Sequence, residues 1–235
     1  MNRTSFLAAS ASLVAASTGV SAAESIPGGT HLVERKADFD EASFRKLLGR
    51  PAKIRQLFEQ ISFKPQALGN VKNALNGLTF GFGYSPSQVA VAFAPHGPSA
   101  ALGYSDYLWE KYKLGDFFSI KDAQGATVAS NVWLKAKAAV DMKADPDDPN
   151  GMYQDSSIEM LQKRGVVFMT CHTAVEEQAR NLVKAGAPAA GQNASDVAND
   201  ILTHLIPGAV VVPSMVATVA VLQHEYNYAY VSLNF

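Results

Sequence analysis

From Ile54 onward, short apolar runs alternate with longer segments whose apolar residues recur every three or four positions. The short runs predict strands and the periodic segments predict amphipathic helices. Five runs read as strands: Ile54 to Ile61, Gln88 to Ala94, Val166 to Thr170, Ala209 to Val212 and Tyr228 to Leu233. The first also has helical spacing at Ile54, Leu57, Phe58 and Ile61, and it is assigned as a strand because the later strand-then-helix units require one.

The helices are bounded by breakers and caps. Asp40 to Leu48 ends at Gly49-Arg50-Pro51, and Pro65 opens a helix with Leu68, Val71, Leu75 and Leu78 on one face, stopped by Gly77, Gly81 and Gly83. A helix is predicted from about Ser99, with Leu102, Ser105, Leu108, Trp109 and Tyr112 along one side, and others at Val132 to Met142 and Ser156 to Lys163. Thr173 and Glu176 fit a capping box for a helix reaching Ala185, with Val175, Ala179, Leu182 and Val183 as its apolar face. Asp196 to Leu205 and a helix with Met215, Val219 and Leu222 facing inward complete the set. Asp145 to Gly151 reads as an exposed linker, because its carboxylate spacing fails as a calcium loop and Pro149 occupies a ligand position.

This alternation predicts an α/β, three-layer fold with a mostly parallel sheet of about five strands, covered on both faces. Ligands gather at the carboxyl ends of such strands. The residues there are His96 and Gly97 after one strand, Cys171 and His172 after another, and Pro213 and Ser214 after a third.

The amino-terminal residues change the setting. Arg3, the apolar stretch Phe6 to Ser17 and the small residues Val20-Ser21-Ala22-Ala23 have the form of a secretory signal peptide, residues 1–23. The lack of paired arginines favours a Sec-type route and a periplasmic or secreted location. Residues 24–50 read as an extension and 51–235 as a single domain. The run Ile206 to Leu222 is broken by Pro207, Gly208 and Pro213, so no stable membrane insertion is expected after cleavage. With 20 basic against 21 acidic residues, nothing suggests a nucleic-acid partner. Only 17% of residues are charged, against about 25% in typical domains, which points towards a homo-oligomer. Tyr104, Tyr107, Trp109 and Tyr112 either form a subunit interface or pack on the sheet.

Cys171 is the single cysteine, so export into an oxidising compartment leaves it without an intramolecular partner. At a strand-to-helix turn it would face free backbone N–H groups and the positive helix end, which favour a thiolate. A buried, structural cysteine is the competing reading. His96 and His172 are the candidate proton handlers. Cys171, His172 and His96 lack zinc-site spacing, and no metal is assigned. Nucleophile-elbow, phosphate-loop and dinucleotide fingerprints are missing, and no cofactor is assigned.

The order Asn73-Ala74-Leu75, Val91 to Pro98, Trp109 to Tyr112, Cys171, and Leu205 to Ser214 followed by Gln223 resembles the DsrE/DsrF-like family over most of the chain from Ile54. The resemblance implies a flavodoxin-like sheet, frequent oligomers, and a sulfur relay through a cysteine persulfide. Cys171 matches the sulfur-carrying position, and Asn73, Gly97, Pro213 and Ser214 are the expected pocket residues. The chain departs from the family at Met215 and Glu225-Tyr226, where many relatives have glycine. Two functions follow as expectations. One is a sulfurtransferase or sulfur carrier serving a small sulfur species or a sulfur-carrier protein. The other is a non-catalytic ligand-binding or scaffold module with a structural cysteine.

Overall fold

The computed structural model describes residues 39–122 and 124–233; the expected signal peptide and most of the extension lie outside the described residues. Helix α1, Glu41–Leu48, is capped by the Asp40 carboxylate, which accepts the Ser43 N–H at 2.9 Å. Although α1 falls in the predicted extension, Phe44 and Leu48 are buried in the same cluster as one face of the sheet.

Five strands form one wholly parallel sheet: β1 Ile54–Gln60, β2 Val89–Pro95, β3 Val166–Cys171, β4 Val210–Val212 and β5 Ala229–Ser232, in the order β4-β3-β2-β1-β5. Helices on both sides make a three-layer α/β fold of flavodoxin-like type. The ambiguous first run is a strand because it is paired on both sides, Ile54 with Val89 and Gln56 with Ala229. Two ladders of backbone hydrogen bonds outweigh its helical spacing.

Strand β2 shows how sequence divides the two faces. All seven residues of Val89–Pro95 are buried, as expected for a central parallel strand. Ala90, Ala92 and Ala94 line one face; Val89, Val91 and Phe93 line the other. The alanine face packs with α1, α6 His172–Lys184, α7 Ala194–Thr203 and α8 Met215–Tyr226. The larger side chains meet α2 Ala67–Asn76 and α5 Ile158–Lys163. Among the described residues no helix is long and apolar enough to cross a membrane.

Two predicted helices are corrected. The Ser99-to-Tyr112 helix is broken into a 3₁₀ segment, Gly97–Gly103, and a short α3, Asp106–Lys111. Between them Tyr104 bridges Leu205, Ser105 donates to His204 O and Gly103 O accepts from Ile206, so these groups bond across the fold and not along a helix. Tyr104, Trp109 and Tyr112 are fully buried and pack inward; of the four aromatics only Tyr107 is exposed. A short α4, Leu114–Phe117, follows.

Val132 to Met142 forms turns and not a helix. Carboxylates capture the backbone donors that a helix would use. Asp155 Oδ2 accepts from Lys137 N at 2.6 Å and from Ala138 N at 3.0 Å, while Glu159 accepts from Ala136 N at 2.9 Å. Side chains compete directly with i−4 carbonyls in this way. The acidic segment beyond is largely exposed, with Asx turns in which Asp145 accepts from Asp147 N and Asp148 from Asn150 N.

Candidate functional site at the carboxyl edge of the sheet

Parallel register brings the ends of β2, β3 and β4 to one edge. Cys171 pairs with Val212, and His96 directly follows β2, the strand beside β3. Cys171 ends β3 and is itself the N-cap of α6, which therefore starts at His172. The Thr173–Glu176 capping box expected from sequence is replaced. Sγ of Cys171 accepts from Ala174 N at 3.4 Å, and Thr173 Oγ1 donates to Pro213 O at 3.0 Å.

A second helix end converges on the same sulfur. Met215 N, the first residue of α8, donates to Cys171 Sγ at 3.2 Å. The sulfur thus receives amides from two helices of 13 and 12 residues, whose positive ends favour negative charge. It is also deeply placed, at 4% exposure.

Residues not anticipated from sequence complete its surroundings. Tyr104 O–H donates to Gln178 Oε1 at 2.7 Å, and Gln178 Nε2 donates to Gly97 O. Burial, and after it the neighbouring Cys171, hold the Tyr104 phenol well above its usual pKa, so it remains a proton donor. Gln178 carried a signal: it is the polar residue in the otherwise apolar stripe Val175, Ala179, Leu182 of α6. Tyr104 carried none, since a buried tyrosine reads as core.

His96 is held from its other side. Its Nε2 lies 2.9 Å from Glu59 Oε1, with both side chains nearly buried, and Glu59 Oε2 accepts from Tyr230 O–H. That hydrogen bond, and secondarily burial, raise the Tyr230 phenol above its usual value and keep it a donor. Glu59 and Tyr230 therefore fix the imidazole at the sheet edge. Gly97 follows with φ of 56°, and a Cβ there would meet Ile61 Cγ2 at 3.3 Å, so the tight turn needs glycine.

The other expected residues divide. His172 is buried at the first position of α6. Pro213 and Ser214 sit at the α8 start and line a cavity of about 150 Å³ against Phe44 and Arg45 of α1; Cys171 is not among its walls. Asn73 is set apart, exposed on α2, which covers the opposite face of the sheet. Among the described residues no three His, Cys, Asp or Glu side chains converge as a metal site.

The edge can therefore stabilise an anion on sulfur and hold an imidazole at the end of the neighbouring strand, within a largely closed environment. Comparison of the chain with family models, with curated proteins and with solved structures found no match.

Proposed function

We propose that this is an exported, DsrE/DsrF-like protein that carries sulfur as a persulfide on Cys171. The observation that supports it is the convergence of the Ala174 and Met215 amides on Sγ. Two fixed donors suit a sulfur that must hold negative charge away from water. In the loading step the Cys171 thiolate attacks a sulfane sulfur of a polysulfide. The new Sγ–S bond forms as the polysulfide S–S bond breaks, and the shortened polysulfide leaves with the electron pair. The thiol proton passes to a neighbouring base, for which His96, braced by Glu59, is the candidate. The donor and acceptor are a small sulfur species or a sulfur-carrier protein, and the location is periplasmic or secreted.

A second reading rests on the 4% exposure of Cys171 and on its capping of α6. Both suit a structural cysteine in a ligand-binding or scaffold module. Incubation of the folded protein with polysulfide, followed by mass spectrometry, separates the two. Persulfide transfer predicts one added sulfur atom confined to Cys171 and its loss in Cys171→Ser. A thiol that stays unmodified by polysulfide, and that alkylates only after unfolding, sinks the relay and leaves the structural reading.

A further inference from the structure

The amino edge of the sheet, remote from Cys171, holds a cavity of about 200 Å³ bounded by the starts of β2 and β3, by α2 and by the loop before α5. Its walls are mainly apolar, including Leu75, Val89, Val91, Met152 and Tyr153, yet among the described residues two cations, Lys163 and Arg164, also line it and no carboxylate does. Arg164 is the informative one. Its Nη2 donates to Asn76 Oδ1 at 2.6 Å, and the guanidinium lies 5.2 Å from the Tyr153 ring centroid. Asn76 is fixed in turn by donating to Tyr153 O at 2.8 Å. The other terminal nitrogen, Nη1, is enclosed and has no hydrogen-bond acceptor among the described residues.

An enclosed guanidinium N–H without an acceptor is costly, and burial lowers the pKa of this arginine because its charge is poorly solvated. Neutral neighbours position the group but do not compensate its charge. Asn76 and the Tyr153 ring fix the guanidinium at the cavity wall, where its delocalised positive charge can attract an anion.

The rim has a second unusual feature. Directly after α2 the chain makes a π-helical turn, Gly77–Gly81, a rare conformation that occurs often at functional sites. Thr79 of this turn lines the cavity, and Phe80 packs edge-on against Tyr153 at 4.8 Å between centroids. Met142, exposed at 58%, and Met152 supply flexible walls that can give way to a ligand.

We propose that this cavity binds a small monoanion with an apolar body, a carboxylate on a short alkyl or aryl group, whose charge pairs with Arg164. The alkyl or aryl part lies against Leu75, Val89, Val91 and Met152. Lys163 at the rim adds to the attraction of the anion. The site shares no residue with the Cys171 edge, so it stands or falls independently of sulfur transfer.

Calorimetric titration of the full chain with octanoate, and with octylamine as a cation of the same length, tests it. Octanoate should bind saturably and octylamine should not. Arg164→Gln should weaken octanoate at least tenfold, and Thr79→Trp, which fills the mouth, should abolish binding. Absence of saturable octanoate binding overturns the proposal, as does equal binding of octylamine or unchanged affinity in Arg164→Gln. If Arg164→Gln proves to melt early, Thr79→Trp on the half-buried rim decides: unchanged octanoate affinity there also overturns it.

Discussion

Cys171 acts structurally whatever its chemistry, because its sulfur is the acceptor for two backbone amides. Cys171→Ser retains an acceptor and a good N-cap, and its stability in urea should fall by no more than about 1 kcal/mol. Cys171→Ala strands both amides in a buried position and should cost about 1–3 kcal/mol. Equal losses for the two variants would show that the hydrogen bonds carry no weight. The placement of Cys171 at a strand-to-helix turn was legible from Val166 to Thr170 followed by an amphipathic segment. Its second amide was not, since Met215 lies 44 positions further along and only the β3–β4 pairing brings it near.

Most elements with local periodicity matched expectation, and the two predicted helices that failed have backbone groups taken by partners elsewhere in the fold. The segment from Asn131 to Ser157 is the clearest case. Asn131 N donates to Asp106, Ala136 N to Glu159, and Lys137 and Ala138 to Asp155, so carboxylates well removed along the chain replace the helical ladder. Burial works to raise the Asp155 carboxyl, but N–H groups of Ser157, Ala138 and Lys137 together outweigh it and hold the group below its ordinary 3.8. A carboxyl depressed in the folded state stabilises it fully above the unfolded value, and that stabilisation is lost as pH falls through the lower folded value. Hydrogen exchange of Lys137 and Ala138, compensated for intrinsic rates, should therefore show falling protection below about pH 4. Asp155→Ala should show the same loss at neutral pH, with about 1–3 kcal/mol less stability. Protection unchanged in both conditions would remove Asp155 as the organiser of this segment.

Across the whole molecule, the two faces of β2 differ in what they tolerate. Phe93, fully buried against Phe168 at 5.2 Å between centroids, is a major filler of one layer, and Phe93→Ala should cost about 3–5 kcal/mol. On the other face Ala92 has no exposure, and Ala92→Val should cost about 1–3 kcal/mol through overpacking, although it adds apolar volume. Urea denaturation of both variants checks the contrast; a stabilised Ala92→Val would show that the alanine face has spare room. The alternation of alanine with larger residues is present in the chain, but which layer each set meets is decided by the assembled helices. The sequence by itself determined the five strands, most helices, the parallel α/β class and the gathering of His96, Gly97, Cys171, His172, Pro213 and Ser214 at one edge. Those features follow from local periodicity, caps and breakers, which act within a few residues. Only the tertiary structure decided that Cys171 is buried beneath two helix ends, that Glu59 and Tyr230 hold His96, that Asn73 faces elsewhere, and that Arg164 lines an apolar cavity in which, among the described residues, no carboxylate meets it. Each of these depends on groups far apart in the chain, whose meeting is set by strand register and packing and leaves no periodic trace.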